Sequence, residues 1–196
     1  FAYPGAKENV LEDISFVAKT GQTTAIIGGT GSGKTTLVNL IPRFFDVTKG
    51  KVMVDGTDIR EMSQESLREA IGYVPQKGVL FSGTVASNLR YEKEDATKEQ
   101  VMDAARIAQA KEIIDGKKDG LDSAIAQGGS NVSGGQKQRF SIARAIVKDP
   151  KIYIFDDSFS ALDYKTDAIL RRELSKKTKE AAVIIVAQRI STILHA

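Results

Sequence analysis

Residues 28–36 read Gly-Gly-Thr-Gly-Ser-Gly-Lys-Thr-Thr and fit the phosphate-loop spacing G-x-x-x-x-G-K-[ST] through Gly28, Gly33, Lys34 and Thr35. A polyphosphate is a dense group of negative charges. A loop that wraps it needs backbone N–H groups turned inward and few side chains in the way, which the glycines at 28, 29, 31 and 33 and the small residues Thr30 and Ser32 allow. Lys34 supplies a mobile cation, the Thr35 hydroxyl can ligate magnesium, and Thr36 carries the chain into a helix whose positive end faces the same place.

A second acidic element lies far downstream, where Lys151-Ile-Tyr-Ile-Phe-Asp156 reads as a buried strand ending in Asp156 and Asp157. Such a pair taken alone is more often a turn or a helix cap. Combined with Lys34 and Thr35, Asp156 reads as a ligand of the magnesium that bridges the phosphates. The third element is Val132-Ser133-Gly134-Gly135-Gln136, a serine and two glycines opening a helix. It suits a plain N-cap and a second phosphate-binding helix end about equally.

The elements around these residues alternate. An apolar strand at 23–27 precedes the loop, and Leu37, Val38, Leu40 and Ile41 continue it as a helix. Residues 10–18 place Ile14, Phe16 and Ala18 on one side of an expected half-buried strand. Residues 51–59 read as a strand and turn broken at Asp55-Gly56, and 71–74 as a strand ending at Pro75-Gln76. Thr97 and Gln100 form a capping-box start for a helix carrying Val101, Ala104, Ala105 and Ala108, with further helices expected around 85–89 and 110–114. Helices at 138–147 and 163–179 flank the strand that ends at Asp156, and a strand follows at 183–187. Strands alternating with helices predict an α/β fold with a mostly parallel sheet.

Composition narrows the class. With 41% apolar and 27% charged residues the chain has ordinary globular composition. Its net charge of +3 is spread along the chain without a basic block, so nucleic acid is not implied. The lack of cysteine excludes a disulfide scaffold, and the longest apolar runs are strand-length, too short to cross a bilayer. The opening Phe1-Ala2-Tyr3-Pro4, without methionine, reads as part of a larger polypeptide.

Taken together and in this order, the motifs resemble the nucleotide-binding domain of an ABC transporter, and in detail that of an exporter. The resemblance covers nearly the whole chain. It comprises an aromatic loop at Tyr3, a Walker A motif at 28–36, a Q-loop at Gln76, the signature at 132–136, a Walker B motif at 152–156 and a D-loop at Ser160-Ala161-Leu162-Asp163. Leu80-Phe-Ser-Gly-Thr-Val-Ala-Ser-Asn-Leu89 also resembles exporters more than importers.

This resemblance implies a P-loop NTPase core at 1–78 and 150–196, with an antiparallel β portion, and a helical subdomain at about 79–149. It implies ATP and Mg2+ as cofactors, with Thr35, Gln76 and Asp156 around the metal and Tyr3 stacked on adenine. Two such domains would pack head to tail, so that Ser133, Gly134, Gly135 and Gln136 of one hold the γ-phosphate bound to the other. ATP would hold the pair shut and hydrolysis would release it, and that motion, on the cytoplasmic face of a membrane, would drive attached transmembrane domains.

Two positions depart from the family pattern at the same ATP site. Asp157 stands where a glutamate usually orients the attacking water, and Gln188 stands where a switch histidine usually meets the γ-phosphate. Loss of a methylene retracts a carboxylate by roughly 1.5 Å, and a misplacement of about 1 Å can cost on the order of a hundredfold in rate. Glutamine donates a hydrogen bond but takes no positive charge. His195 is read as a surface residue outside the switch. With Lys34, Asp157 and Gln188 as its catalytic residues, the chain is expected to have a slow Walker site of its own and to complete an active site on a non-identical partner. The alternatives are a soluble ABC ATPase acting on nucleic acid or the ribosome, and a regulatory ATP-binding module. The sequence offers neither the long coiled coil nor the paired cassettes of the first.

Overall fold

The computed structural model describes residues 1–188. Strand β1 (Thr23–Ile27) runs into the glycine loop and helix α1 (Lys34–Asn39). The antiparallel pair β2 (Met53–Val54) and β3 (Thr57–Asp58) follows, then α2 (Gln64–Glu69) and β4 (Ile71–Val74). Next come β5 (Gly83–Thr84), α3 (Val85–Leu89), α4 (Lys98–Ile107), α5 (Lys111–Asp115) and β6 (Ala124–Ile125), which pairs back onto β5. Helix α6 (Gly134–Lys148), β7 (Ile152–Asp156), α7 (Tyr164–Lys177) and β8 (Ala182–Ala187) complete the order.

β1, β8, β7 and β4 lie side by side in that order, and all pair in parallel. The two central strands are apolar on both faces, as a sheet covered on both sides requires. Tyr153, Phe155, Val183 and Ile185 face a large core with Phe140 and Ile142 of α6, Val101 and Ala105 of α4 and Leu170 of α7. Ile154, Ile184 and Val186 point the other way, toward Val38 of α1 and Leu67 of α2. The period of two in the strands thus places α1 and α6 on opposite faces.

Several boundaries follow local chemistry. Thr97 and Gln100 form the expected capping box of α4. Asp55 and Gly56, with φ of 49° and 81°, make the left-handed pair that turns β2 into β3.

The strand expected at 10–18 is not formed: Ile14 and Phe16 are about half exposed, and Val17 is 77% exposed. Alternation alone does not hold an extended segment. It needs a neighbour for its backbone groups, and β2 and β3 pair only with each other among the described residues. Among the described residues the antiparallel portion consists of the short β2–β3 and β5–β6 pairs.

Candidate nucleotide-binding site

Strand register gathers the motif residues at one edge. Ile27 is opposite Ala187, Asp156 opposite Val186, and Phe155 opposite Val74. Gly28, Asp157, Gln188 and Gln76 therefore all emerge from the carboxyl ends of the four strands, where open α/β sheets place their ligands.

The loop from Gly28 to Gly33 is shaped by the absence of side chains. Gly33 has φ of 89°, and a Cβ there would come within 2.9 Å of Leu11 Cδ2. A Cβ at Gly28 would meet Ser32 Oγ at 2.6 Å. Gly31 also has positive φ, and Thr30 and Ser32 are exposed beside it. The Lys34 ammonium folds back over the loop, donating to the Gly29 carbonyl at 2.5 Å and to Ser32 Oγ at 3.2 Å. It is held where an anion cradled by the loop would meet it.

Thr35 donates its hydroxyl to both carboxylate oxygens of Asp156, at 3.1 and 3.0 Å, across a sequence separation of 121 residues. Asp156 is 4% exposed, and Tyr73 supports it from the neighbouring strand. The Tyr73 hydroxyl lies 3.4 Å from Asp156 Oδ2 and donates to Asn39 Oδ1 at 2.9 Å. Burial, then the adjacent Asp156 charge, pushes the Tyr73 phenol well above its ordinary pKa, so it remains a protonated donor. Asn39 and Tyr73 were not singled out from the sequence. The available signal was a tyrosine inside the short apolar strand that ends at Pro75.

Asp157 has φ of 48°, its N–H donates to the Val186 carbonyl at 3.0 Å, and its Oδ2 accepts from the Gln76 amide at 3.2 Å. Gln188 is exposed at the end of β8, and His195 lies outside the described residues. The Tyr3 hydroxyl is 2.8 Å from Thr36 Oγ1, and its ring makes edge contacts with Phe1 and Phe45.

The serine–glycine motif forms a capping box. Ser133 Oγ accepts from the Gln136 N–H, and the Gln136 side chain accepts from the Ser133 N–H. Gly134 and Gly135 form the first turn of α6, and a Cβ at Gly135 would lie 3.4 Å from the Ala161 carbonyl. These residues open a helix that packs on the face of the sheet opposite α1.

Residues 11–160 match the ABC transporter family. The chain belongs to that family. This ABC domain is 52% identical over its full length to an uncharacterized ABC transporter ATP-binding protein of Mycobacterium tuberculosis, of which it covers 34%. It is 44% identical, again over its full length, to a putative multidrug export ATP-binding/permease protein of Bacillus subtilis, covering 34% of it. Over 96% of its length it is 42% identical to an ATP-dependent lipid A-core flippase of Legionella pneumophila, covering 32% of that protein. It superimposes on a bacterial Atm1-family ABC exporter solved with ATP bound, with a TM-score of 0.94 and 36% identity, over all of the domain and 34% of the exporter chain. The domain thus spans about a third of the length of these relatives. No helix among the described residues is long and apolar enough to cross a membrane.

Proposed function

We propose that this chain is the ATP-binding and ATP-hydrolysing engine of an ABC exporter, attached to transmembrane domains on the cytoplasmic face of a membrane. The observation that carries the reading is the meeting of Thr35 and Asp156 at 3.0 Å beside the glycine loop. Magnesium is a hard cation that takes oxygen ligands and keeps phosphate oxygens and waters in its shell. A threonine hydroxyl and one carboxylate suit it, and among the described residues no denser cluster of histidine and acidic side chains competes. The loop suits a polyphosphate, since Gly28 and Gly33 let it fold closely on Ser32 and Leu11, and a tight glycine turn of this kind can aim its backbone N–H groups at an anion.

In this reading Thr35, Asp156 and Gln76 hold the metal, which when bound neutralises charge building on the phosphates. Backbone N–H groups of Gly28 to Thr36, with the Lys34 ammonium, hold the phosphate oxygens, and Tyr3 meets the adenine. Asp157 and Gln76 orient the attacking water, and Gln188 donates a hydrogen bond toward the transferred phosphoryl group. Residues 79–149 act as a helical subdomain that presents Ser133, Gly134, Gly135 and Gln136 to a nucleotide on a second domain. The exporter and flippase relatives support the transport reading.

We further propose that the second domain is a different chain and that this chain's own site turns over slowly, because Asp157 is one methylene short and Gln188 carries no charge. The test is ATP binding and hydrolysis in the presence of magnesium by this chain alone, then mixed with a candidate partner domain across a dilution series. Binding without appreciable turnover alone, and turnover on mixing that Ser133→Ala removes, is the expected result. Robust turnover by this chain alone, rising with the square of concentration, would show a self-pairing ATPase. Binding with no turnover in any mixture would favour a regulatory module.

A further inference from the structure

Two consecutive carbonyls lead from β4 to Gln76, and each is held by a buried side chain from a different part of the fold. The Val74 carbonyl accepts from the Ser158 hydroxyl at 2.7 Å, just past the end of β7. The Pro75 carbonyl accepts from the Gln138 side-chain amide at 3.0 Å, from the second turn of α6. Ser158 is fully buried and Gln138 is 1% exposed. A buried amide is costly unless it is hydrogen-bonded, so the bond to Pro75 accounts for a glutamine on the inner face of a helix.

Beyond Gln76 the chain stays pressed against the same helix. A Cβ at Gly78 would fall 2.7 Å from the backbone carbonyl of Lys137 and 2.8 Å from the Gln138 nitrogen, and the Arg144 guanidinium donates to the Val79 carbonyl at 3.0 Å. Gln76 itself reaches in the other direction, to Asp157 Oδ2 at 3.2 Å. A continuous path of contacts therefore runs from the helix opened by Ser133, through Gln138 and Pro75, to Gln76 and Asp157.

We propose that Gln138 is a positioning residue for this chain's hydrolytic site. By fixing the Pro75 carbonyl it sets the place of Gln76, and so the geometry of the Gln76–Asp157 contact. The inference rests on the reading of Gln76 and Asp157 as the groups that orient water. Gln138 acts through the Pro75 carbonyl and not on the reacting atoms. Because a shift of about 1 Å can cost on the order of a hundredfold in rate, partial loosening of Gln76 is expected to lower kcat by roughly tenfold.

Two variants of the full-length protein test this. Gln138→Met keeps the length of the side chain without its donor, and Gln138→Asn keeps the amide but draws it back by roughly 1.5 Å; the second serves if the first does not fold. Amide hydrogen exchange of residues 76–80 is expected to quicken while that of β1 and β7 stays unchanged. With Mg·ATP, and with Asp157→Glu and Gln188→His present so that turnover at this site can be read, kcat falls with KM nearly constant, and adding Gln76→Ala leaves the same substitution costing little more, because both act through one group. Unchanged exchange at 76–80, or an equal fold-loss in both backgrounds, overturns the proposal. A wild-type protein without turnover under any condition overturns the functional reading instead, and hydrogen exchange then decides the placement of Gln76 by itself.

Discussion

At Lys34 the ammonium already has hydrogen-bond acceptors in its own loop, the Gly29 carbonyl and Ser32 Oγ. Phosphate oxygens would replace these with charge-assisted bonds, each worth about 1.5–3 kcal/mol. Lys34→Ala is therefore expected to weaken binding of a fluorescent ATP analogue by at least about tenfold, with the thermal midpoint of the nucleotide-free protein little changed. Asp157→Glu together with Gln188→His restores a longer carboxylate and a group able to carry charge. Turnover at this site, measured by phosphate release in the assembled pair, is expected to rise by about ten- to a hundredfold; no change would remove the case for a slow site.

Asp58 offers a residue-scale test away from the nucleotide. Hydrogen bonds from the Arg60 side chain and backbone hold its carboxyl at about 2, below the ordinary value near 3.9. A carboxyl lowered by folding stabilises the folded state above its unfolded pKa and loses that contribution as pH falls. The thermal midpoints of wild type and Asp58→Asn are expected to differ above about pH 4 and to converge as pH falls toward about 2, measured by calorimetry.

Among the elements, α4 and α6 begin in the same way, with reciprocal capping boxes at Thr97–Gln100 and Ser133–Gln136. Losing either cap should cost about 1 kcal/mol, a fall of about 2–4 °C in Tm for a chain of this size. Thr97→Ala and Ser133→Ala are therefore expected to lower Tm alike, while only Ser133→Ala removes turnover in the mixed pair. Equal effects on turnover would leave Ser133 as a cap and nothing more. The motif was ambiguous in sequence for this reason: the cap is formed within the chain, whereas the phosphate role proposed for it depends on a second chain.

For the molecule as a whole, α1 and α6 pack on opposite faces of one sheet, and the proposed function gives the Ser133 motif its role only in a pair of domains. Turnover by the mixed chains is accordingly expected to fall on dilution more steeply than in proportion to concentration, and to be abolished by EDTA and restored by magnesium. Hydrolysis that survives EDTA would exclude the metal role assigned to Thr35 and Asp156.

What the sequence by itself determined is what neighbouring residues settle between them. The glycine loop, the capping box at Thr97, the helix cap at Ser133, the Asp55-Gly56 turn and the apolar strands at β7 and β8 rest on backbone freedom, short side-chain bonds and periodicity. The order of motifs likewise identified the family, since it needs no coordinates. Tertiary structure decided what depends on distant partners. Alternation at 10–18 predicted a strand that did not form, because no strand among the described residues lies beside it to share a ladder. The bonds joining Thr35 to Asp156, Gln76 to Asp157 and Gln138 to Pro75 cross 121, 81 and 63 residues. Their geometry follows from the parallel register of β1, β8, β7 and β4 and from the packing of α1 and α6 on that sheet, which local spacing does not contain.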